Sequence, residues 1–217
     1  MRTNVMAMVC VLAMSGVALA HEEGDVFLEI VNGRVEIGLI SEDGSEIIRG
    51  QRVFTAELGA DVPNVGGEPG FQSLVGAFDP NGWVQFNFTR AVRRWNGTDF
   101  STLDGSFTAE YGSLSALTPA TDVYTPGFQL PVDTNGEFHE HPFWILNAPA
   151  ADGVYLVSLS FFANNATESD EAWILFGQNV DEPTLDAAAD WANANIPAPG
   201  AAIPLLALGF GLARRRR

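Results

Sequence analysis

The stretch "VFLEIVNGRVEIGLI" (Val26–Ile40) sets a run of apolar residues on each side of Asn32-Gly33, with Glu29, Arg34 and Glu36 interleaved. Alternate side chains of a strand face opposite ways, so an apolar residue at every second position marks a half-buried strand. Asn-Gly supplies the two positive-φ positions that a tight two-residue turn demands. The stretch therefore reads as a β-hairpin. The same grammar repeats outward from it in "RVFTAEL" (Arg52–Leu58), "GWVQFNFT" (Gly82–Thr89) and "GSFTAEYG" (Gly105–Gly112). It continues in "FHEHPFWIL" (Phe138–Leu146), "GVYLVSLSFFA" (Gly153–Ala163) and "EAWILFG" (Glu171–Gly177). Between these runs, "DVPNVGGEPG" (Asp61–Gly70) and "LTPATDVYTPG" (Leu117–Gly127) are rich in Gly, Pro and Asp and read as loops. Many short strands at this spacing predict a mainly β fold, an antiparallel β-sandwich. One short C-terminal helix is added by "EPTLDAAADWANAN" (Glu182–Asn195). Pro183 opens it, Thr184 is the expected cap, and Leu185, Ala188, Ala189, Trp191 and Ala192 form its apolar face.

The charge is lopsided. Among 217 residues there are 11 basic side chains, all arginine, and 27 acidic ones. Arg2 and Arg214 to Arg217 lie in the terminal segments, so the region Glu22–Asp190 holds six arginines against 27 acids, a net −21. Such a surface repels phosphate backbones and excludes nucleic acid as a partner. It suits cations, or solubility outside the cell. The single cysteine, Cys10, sits near the N-terminus, so the rest of the chain has neither disulfide nor thiolate. No phosphate-binding Gly-Lys-Ser/Thr loop, Gly-x-Ser-x-Gly elbow or His-Glu-x-x-His helix is present, which removes the common nucleotide and hydrolase chemistries. "SEDGSE" (Ser41–Glu46) reads as a hairpin tip. The five tryptophans, mostly within apolar runs, read as core rather than as a sugar-stacking platform.

Both ends carry addressing signals. Arg2, the apolar run Val5–Met14 and "ALA" (Ala18–Ala20) make residues 1–20 a secretory signal peptide, cut between Ala20 and His21 by signal peptidase. A single β-rich extracytoplasmic domain is expected over 21–195. At the other end, "PAP" (Pro197, Ala198, Pro199) precedes an apolar stretch and the block Arg214, Arg215, Arg216 and Arg217. The apolar stretch is shorter than the roughly 20 residues of a full helical span.

Three histidines remain to be placed. His139 and His141 lie one residue apart in an expected strand and share a face, followed there by Phe143 and Ile145. Two imidazoles at that spacing reach one metal ion, and neutral imidazole suits zinc, copper, iron or nickel. The third ligand is expected from His21. Once it becomes the N-terminus, its amine and ring chelate a metal together, an arrangement that favours copper. Glu22, Glu23 and Asp25 beside it offer carboxylate ligands or acceptors for an imidazole N–H.

The tail, 196–217, resembles the PEP-CTERM sorting signal of Gram-negative bacteria, with Pro-Ala-Pro standing where that signal has Pro-Glu-Pro. The resemblance implies export, transient membrane anchoring and processing by an exosortase-type enzyme. The body is similar to the choice-of-anchor M and actinobacterial surface-anchored group, on two blocks. The first is His21, Gly24 and Asp25. The second is His139, His141 and Phe143, then Gly153, Val154, Tyr155 and Leu156. "SDEAWILFGQNVDE" (Ser169–Glu182) is similar to the strand-then-helix ending of that group, whereas Ala151-Asp152 departs from its proline and 50–135 is unmatched. This resemblance implies a metal-linked surface role. The leading expectation is thus an exported cell-envelope binding protein for zinc first and copper second, through His21, His139 and His141. The alternative is a structural or adhesive component of the cell surface or extracellular polysaccharide matrix without metal. A copper oxidase is a distant third.

Overall fold

The computed structural model describes residues 24–200; the leader, His21 and the Arg214–Arg217 block lie outside them. Asn32 and Gly33 adopt φ of 53° and 79°, the geometry of a tight hairpin turn. They join β1 (Gly24–Val31) to β2 (Arg34–Ser41) in unbroken antiparallel register from Gly24↔Ser41 to Val31↔Arg34. β3 (Ile47–Arg49) pairs back on β2 across the Ser41–Glu46 tip, where the Asp43 carboxylate accepts from the Ser41 hydroxyl and the Ser45 N–H. On the other side of β1 lies the two-residue strand β6 (Phe71–Gln72), parallel to it, and then β13 (His139–Glu140), antiparallel to β6. The five-stranded order is β13-β6-β1-β2-β3.

A seven-stranded sheet forms the structural centre. Its path runs β12 (Thr125–Pro131), β7 (Trp83–Phe88), β15 (Gly153–Ala163), β16 (Ala172–Gln178) and β4 (Val53–Leu58), with β8 (Arg93–Arg94) and β9 (Thr102–Leu103) attached beside β15. Only the β16–β4 pair in this sheet is parallel. The third sheet is β11 (Leu114–Leu117), β10 (Phe107–Tyr111), β14 (Phe143–Leu146) and β5 (Val65–Gly66). Several mostly antiparallel sheets around one core fit a β-sandwich.

β15 and β16 have two apolar faces because both are covered. Tyr155, Val157, Leu159, Phe161, Ile174 and Phe176 enter the main core with Phe71, Phe86 and Trp144 from the facing strands. Val154, Leu156, Trp173 and Leu175 point the other way, under α1 (Glu182–Asn195), where they meet Leu185, Ala188, Ala189 and Ala192. Covering both faces explains why these strands read as continuous apolar runs rather than alternating ones. α1 spans the residues its pattern predicts, but its N-cap is Asp181, whose carboxylate accepts from the Thr184 N–H at 3.2 Å. Thr184 is therefore the capped residue, not the cap.

Two expectations change. "FHEHPFWIL" does not form one strand: β13 ends at Glu140 and β14 begins at Phe143, in different sheets. Pro142 has no N–H for a ladder and interrupts it. The expected loops also contain structure, since Val65–Gly66 is β5, Leu117 closes β11, and Thr125–Gly127 begins β12.

Candidate metal centre

The period of two survives the break at Pro142. Phe138, Pro142, Trp144 and Leu146 are buried, whereas His139, His141 and Phe143 are exposed. The two imidazoles thus share the outward face, as the sequence predicts. Across the sheet, β6 lies between β1 and β13, so the start of β1 is carried toward β13. Asp25, on the face of β1 opposite Val26, arrives there with only 6% of its surface exposed.

Three ligand atoms converge. Asp25 Oδ2 lies 2.8 Å from His139 Nε2 and 3.6 Å from His141 Nε2, and the two Nε2 atoms are 2.8 Å apart. A circle through three points at these separations has a radius of about 1.8 Å, just under zinc–nitrogen and zinc–oxygen bond lengths of about 2.0–2.2 Å. The three atoms are therefore close enough together to hold one ion, which would take any further ligand from outside this trio. Asp25, His139 and His141 form a group able to hold a metal ion.

Neighbouring groups orient these ligands. Asp25 Oδ1 accepts the Gly70 N–H at 2.8 Å, which fixes the carboxylate and leaves Oδ2 for the histidines. His141 Nδ1 lies 3.2 Å from the Gly67 carbonyl and 3.3 Å from Glu68 Oε1. An Nδ1–H donating to either leaves the lone pair on Nε2, the atom that faces Asp25 and His139. The Glu68 carboxyl is raised from its ordinary range by partial burial; the His141 ring opposes that shift and the Asp25 carboxylate adds to it. Two carboxylates beside two imidazoles make this edge a place for a cation.

Gly70 is required by space. A Cβ there would lie 2.6 Å from His141 Cε1, 2.7 Å from its Nδ1 and 2.8 Å from Asp25 Oδ1. The backbone of Gly70 is meanwhile tied to β1, its carbonyl accepting the Val26 N–H at 3.0 Å. Below the site, Trp144 Nε1–H donates to the Pro69 carbonyl at 3.4 Å, so the 67–70 segment is held from both sides.

His139 and His141 are thus brought together, and His21 and Ala20 lie outside the described residues. Asp25, offered by the sequence as a carboxylate ligand or an acceptor for an imidazole N–H beside His21, is the third member of this group. Its signal was an acid followed directly by a strand core, "GDVFL". The expected sorting residues Pro197, Ala198 and Pro199 follow α1 without regular structure. There Arg52 Nη2 donates to the Pro197 carbonyl at 2.6 Å, and the Gly200 N–H donates to Asp170 at 3.0 Å. No helix among the described residues is long and apolar enough to cross a membrane. No family model matches the chain, and no curated protein sequence matches it.

Proposed function

We propose that this is an exported cell-envelope protein that binds a transition metal, zinc first and copper second, through Asp25, His139 and His141. The observation that carries the reading is the convergence of one carboxylate oxygen and two Nε2 atoms at 2.8–3.6 Å. Imidazole donors select a borderline transition metal over calcium or magnesium, and three protein ligands would suit a four-coordinate zinc that takes its fourth ligand from elsewhere. His21 is a fourth ligand in this reading. It lies four residues before Asp25, so the chain holds the two Cα atoms within about 14 Å of each other. Cleavage after Ala20 makes His21 a bidentate terminal residue, and that is the route by which copper competes. The role is capture rather than turnover. Export to the periplasm, outer surface or extracellular matrix, with sorting by an exosortase-type enzyme, rests on the leader and on the PAP-to-Arg217 tail.

The test is elemental analysis of protein beginning at His21, purified after growth with zinc and copper, beside a His139→Ala/His141→Ala variant. One equivalent of metal in the first and none in the second is expected. Metal-free protein that takes up neither ion on titration sinks the reading. An added N-terminal methionine weakens copper selectively if the terminal amine is a ligand, and leaves zinc held by the other three.

A further inference from the structure

A second constellation lies on the α1 side of the seven-stranded sheet, the face opposite the one that packs against Phe71 and Trp144. Between α1 and the β8–β9 connection is a surface cleft of about 290 Å³ whose lining includes Trp173, Trp191, Phe100, Arg90, Arg93 and Asp99. The apolar wall is aromatic. The Trp173 and Trp191 indoles are near-parallel, 11° apart with centroids at 6.2 Å, and Phe100 stands 5.6 Å from Trp191. Trp173 is held by cation–π contact with Arg90 at 5.8 Å. Its Nε1–H is buried without a hydrogen-bond partner among the described residues.

The polar rim decides what such a wall receives. Arg90 is matched by Glu171 in a two-pronged pair at 2.9 and 2.6 Å, and Arg93 by Asp122 at 2.6 Å. Asp99 adds a further carboxylate, already accepting from Asn96 and Ser101. The arginines therefore bring no excess positive charge, which speaks against an anion. What they bring is donors: the acid pairs engage Arg90 Nε and Nη2 and Arg93 Nη2, and each guanidinium carries further N–H groups. Asp99 and Ser101 line the same cleft and add a carboxylate and a hydroxyl, the latter already accepting from Asn96. Donors and acceptors beside an aromatic face match a ring with hydroxyls on its edge and C–H groups on its face. The volume lies at the small end of ligand clefts, about 300–1,000 Å³, which admits one such ring.

We infer that this cleft binds a neutral pyranose, a single sugar residue stacked on the half-buried Trp191, which the buried Trp173 and Phe100 back from behind, with its hydroxyls on Arg93, Arg90 and Asp99. The inference is independent of the metal reading.

The experiment titrates the purified protein with methyl β-glucoside, methyl β-galactoside and methyl N-acetyl-β-glucosaminide, following tryptophan fluorescence and saturation-transfer NMR. Methyl β-glucuronide and inorganic phosphate serve as anionic probes, and a linear oligomer of the best glycoside distinguishes a free sugar from a residue within a glycan. A saturable response to at least one neutral glycoside is expected, weakened about tenfold in Trp191→Ala and unchanged in His139→Ala/His141→Ala. Stronger binding of the glucuronide or of phosphate overturns the inference, as does no saturable response to any neutral glycoside. Should Trp191→Ala lose its fold by circular dichroism, Arg93→Ala decides. It leaves the aromatic wall in place, so an affinity equal to wild type overturns the inference and a loss of threefold or more supports it.

Discussion

β15 and β13 are opposite ways of being a strand in one molecule. β15 has 11 residues, almost all buried, with neighbours on both edges and cover on both faces. β13 has two residues at the edge of a sheet, with β6 as its ladder neighbour among the described residues and the Tyr111 hydroxyl donating to Glu140, and its His139 side chain is 50% exposed. The first collects apolar area and contributes stability. The second presents ligand atoms and contributes almost none. The difference teaches that the metal group and the fold are separable: few buried contacts depend on the imidazoles, so altering them leaves the core intact.

The largest effect expected is on the β15 side. Phe161 is fully buried and packs edge-on against Phe71 at 5.0 Å. Phe161→Ala removes a ring from a packed interior and costs about 3–5 kcal/mol, a fall in Tm of about 10 °C for a chain of this size. Thermal unfolding of the metal-free protein measures it, and a fall under 3 °C would mean that the core is not where the stability lies. On the β13 side the pattern reverses. His139→Ala should leave the metal-free Tm within about 1 °C, because an exposed strand residue contributes little. Its zinc affinity should fall at least about 100-fold, close to 2.7 kcal/mol. Wild type should gain about 2.7 kcal/mol of stability at zinc 100-fold above its Kd, and the variant no more than about 0.4 kcal/mol at that concentration. A variant that keeps the zinc-induced rise in Tm breaks the comparison.

Gly70 joins the two regions, and Gly70→Ala sharpens where the boundary falls. An added methyl must displace His141 or Asp25 Oδ1, which stand 2.6–2.8 Å from it. His141 is the one able to swing out, since Asp25 is buried and anchored by the Gly70 N–H. Zinc affinity should drop about tenfold, with about 1 kcal/mol lost from the metal-free protein. Equal titration curves for variant and wild type would place the ion away from His141 Nε2.

Which parts of this were legible in the sequence follows from range. The Asn32-Gly33 hairpin and α1 rest on neighbours within a few residues, so composition and period determine them. The outward face shared by His139 and His141 is also local, and the period of two carried it across Pro142. What pairs at long range was not legible. Nothing in "GDVFL" says that β6, 45 residues on, inserts parallel to β1 and brings Asp25 to the histidines. The break between β13 and β14 was half visible, since Pro142 is in the quoted stretch but the sheet that each half joins is a tertiary choice. Trp173 and Trp191 read correctly as apolar positions. Only the fold shows that they share one wall with two arginines.

The smallest effect tests a third kind of region, neither core nor site. Arg34 at the start of β2 forms a two-pronged pair with Asp170, at 2.6 and 3.2 Å, and donates to the Glu168 carbonyl at 2.9 Å. Burial pushes the Asp170 carboxyl up, but the Arg34 hydrogen bonds, the Gly200 N–H and the positive charges of Arg34 and Arg52 outweigh it, and the net direction is down. A carboxyl lowered by folding stabilises above its unfolded pKa, about 3.9, and loses that contribution as pH falls through the folded value. Arg34→Ala should therefore cost about 1 kcal/mol at pH 7, the upper end for partly exposed pairs. The gap between variant and wild type should narrow as the pH is taken below 4. Denaturant unfolding at pH 7 and pH 3 measures both, and a gap that widens on acidification would show that the pair holds the hairpin by packing rather than by charge.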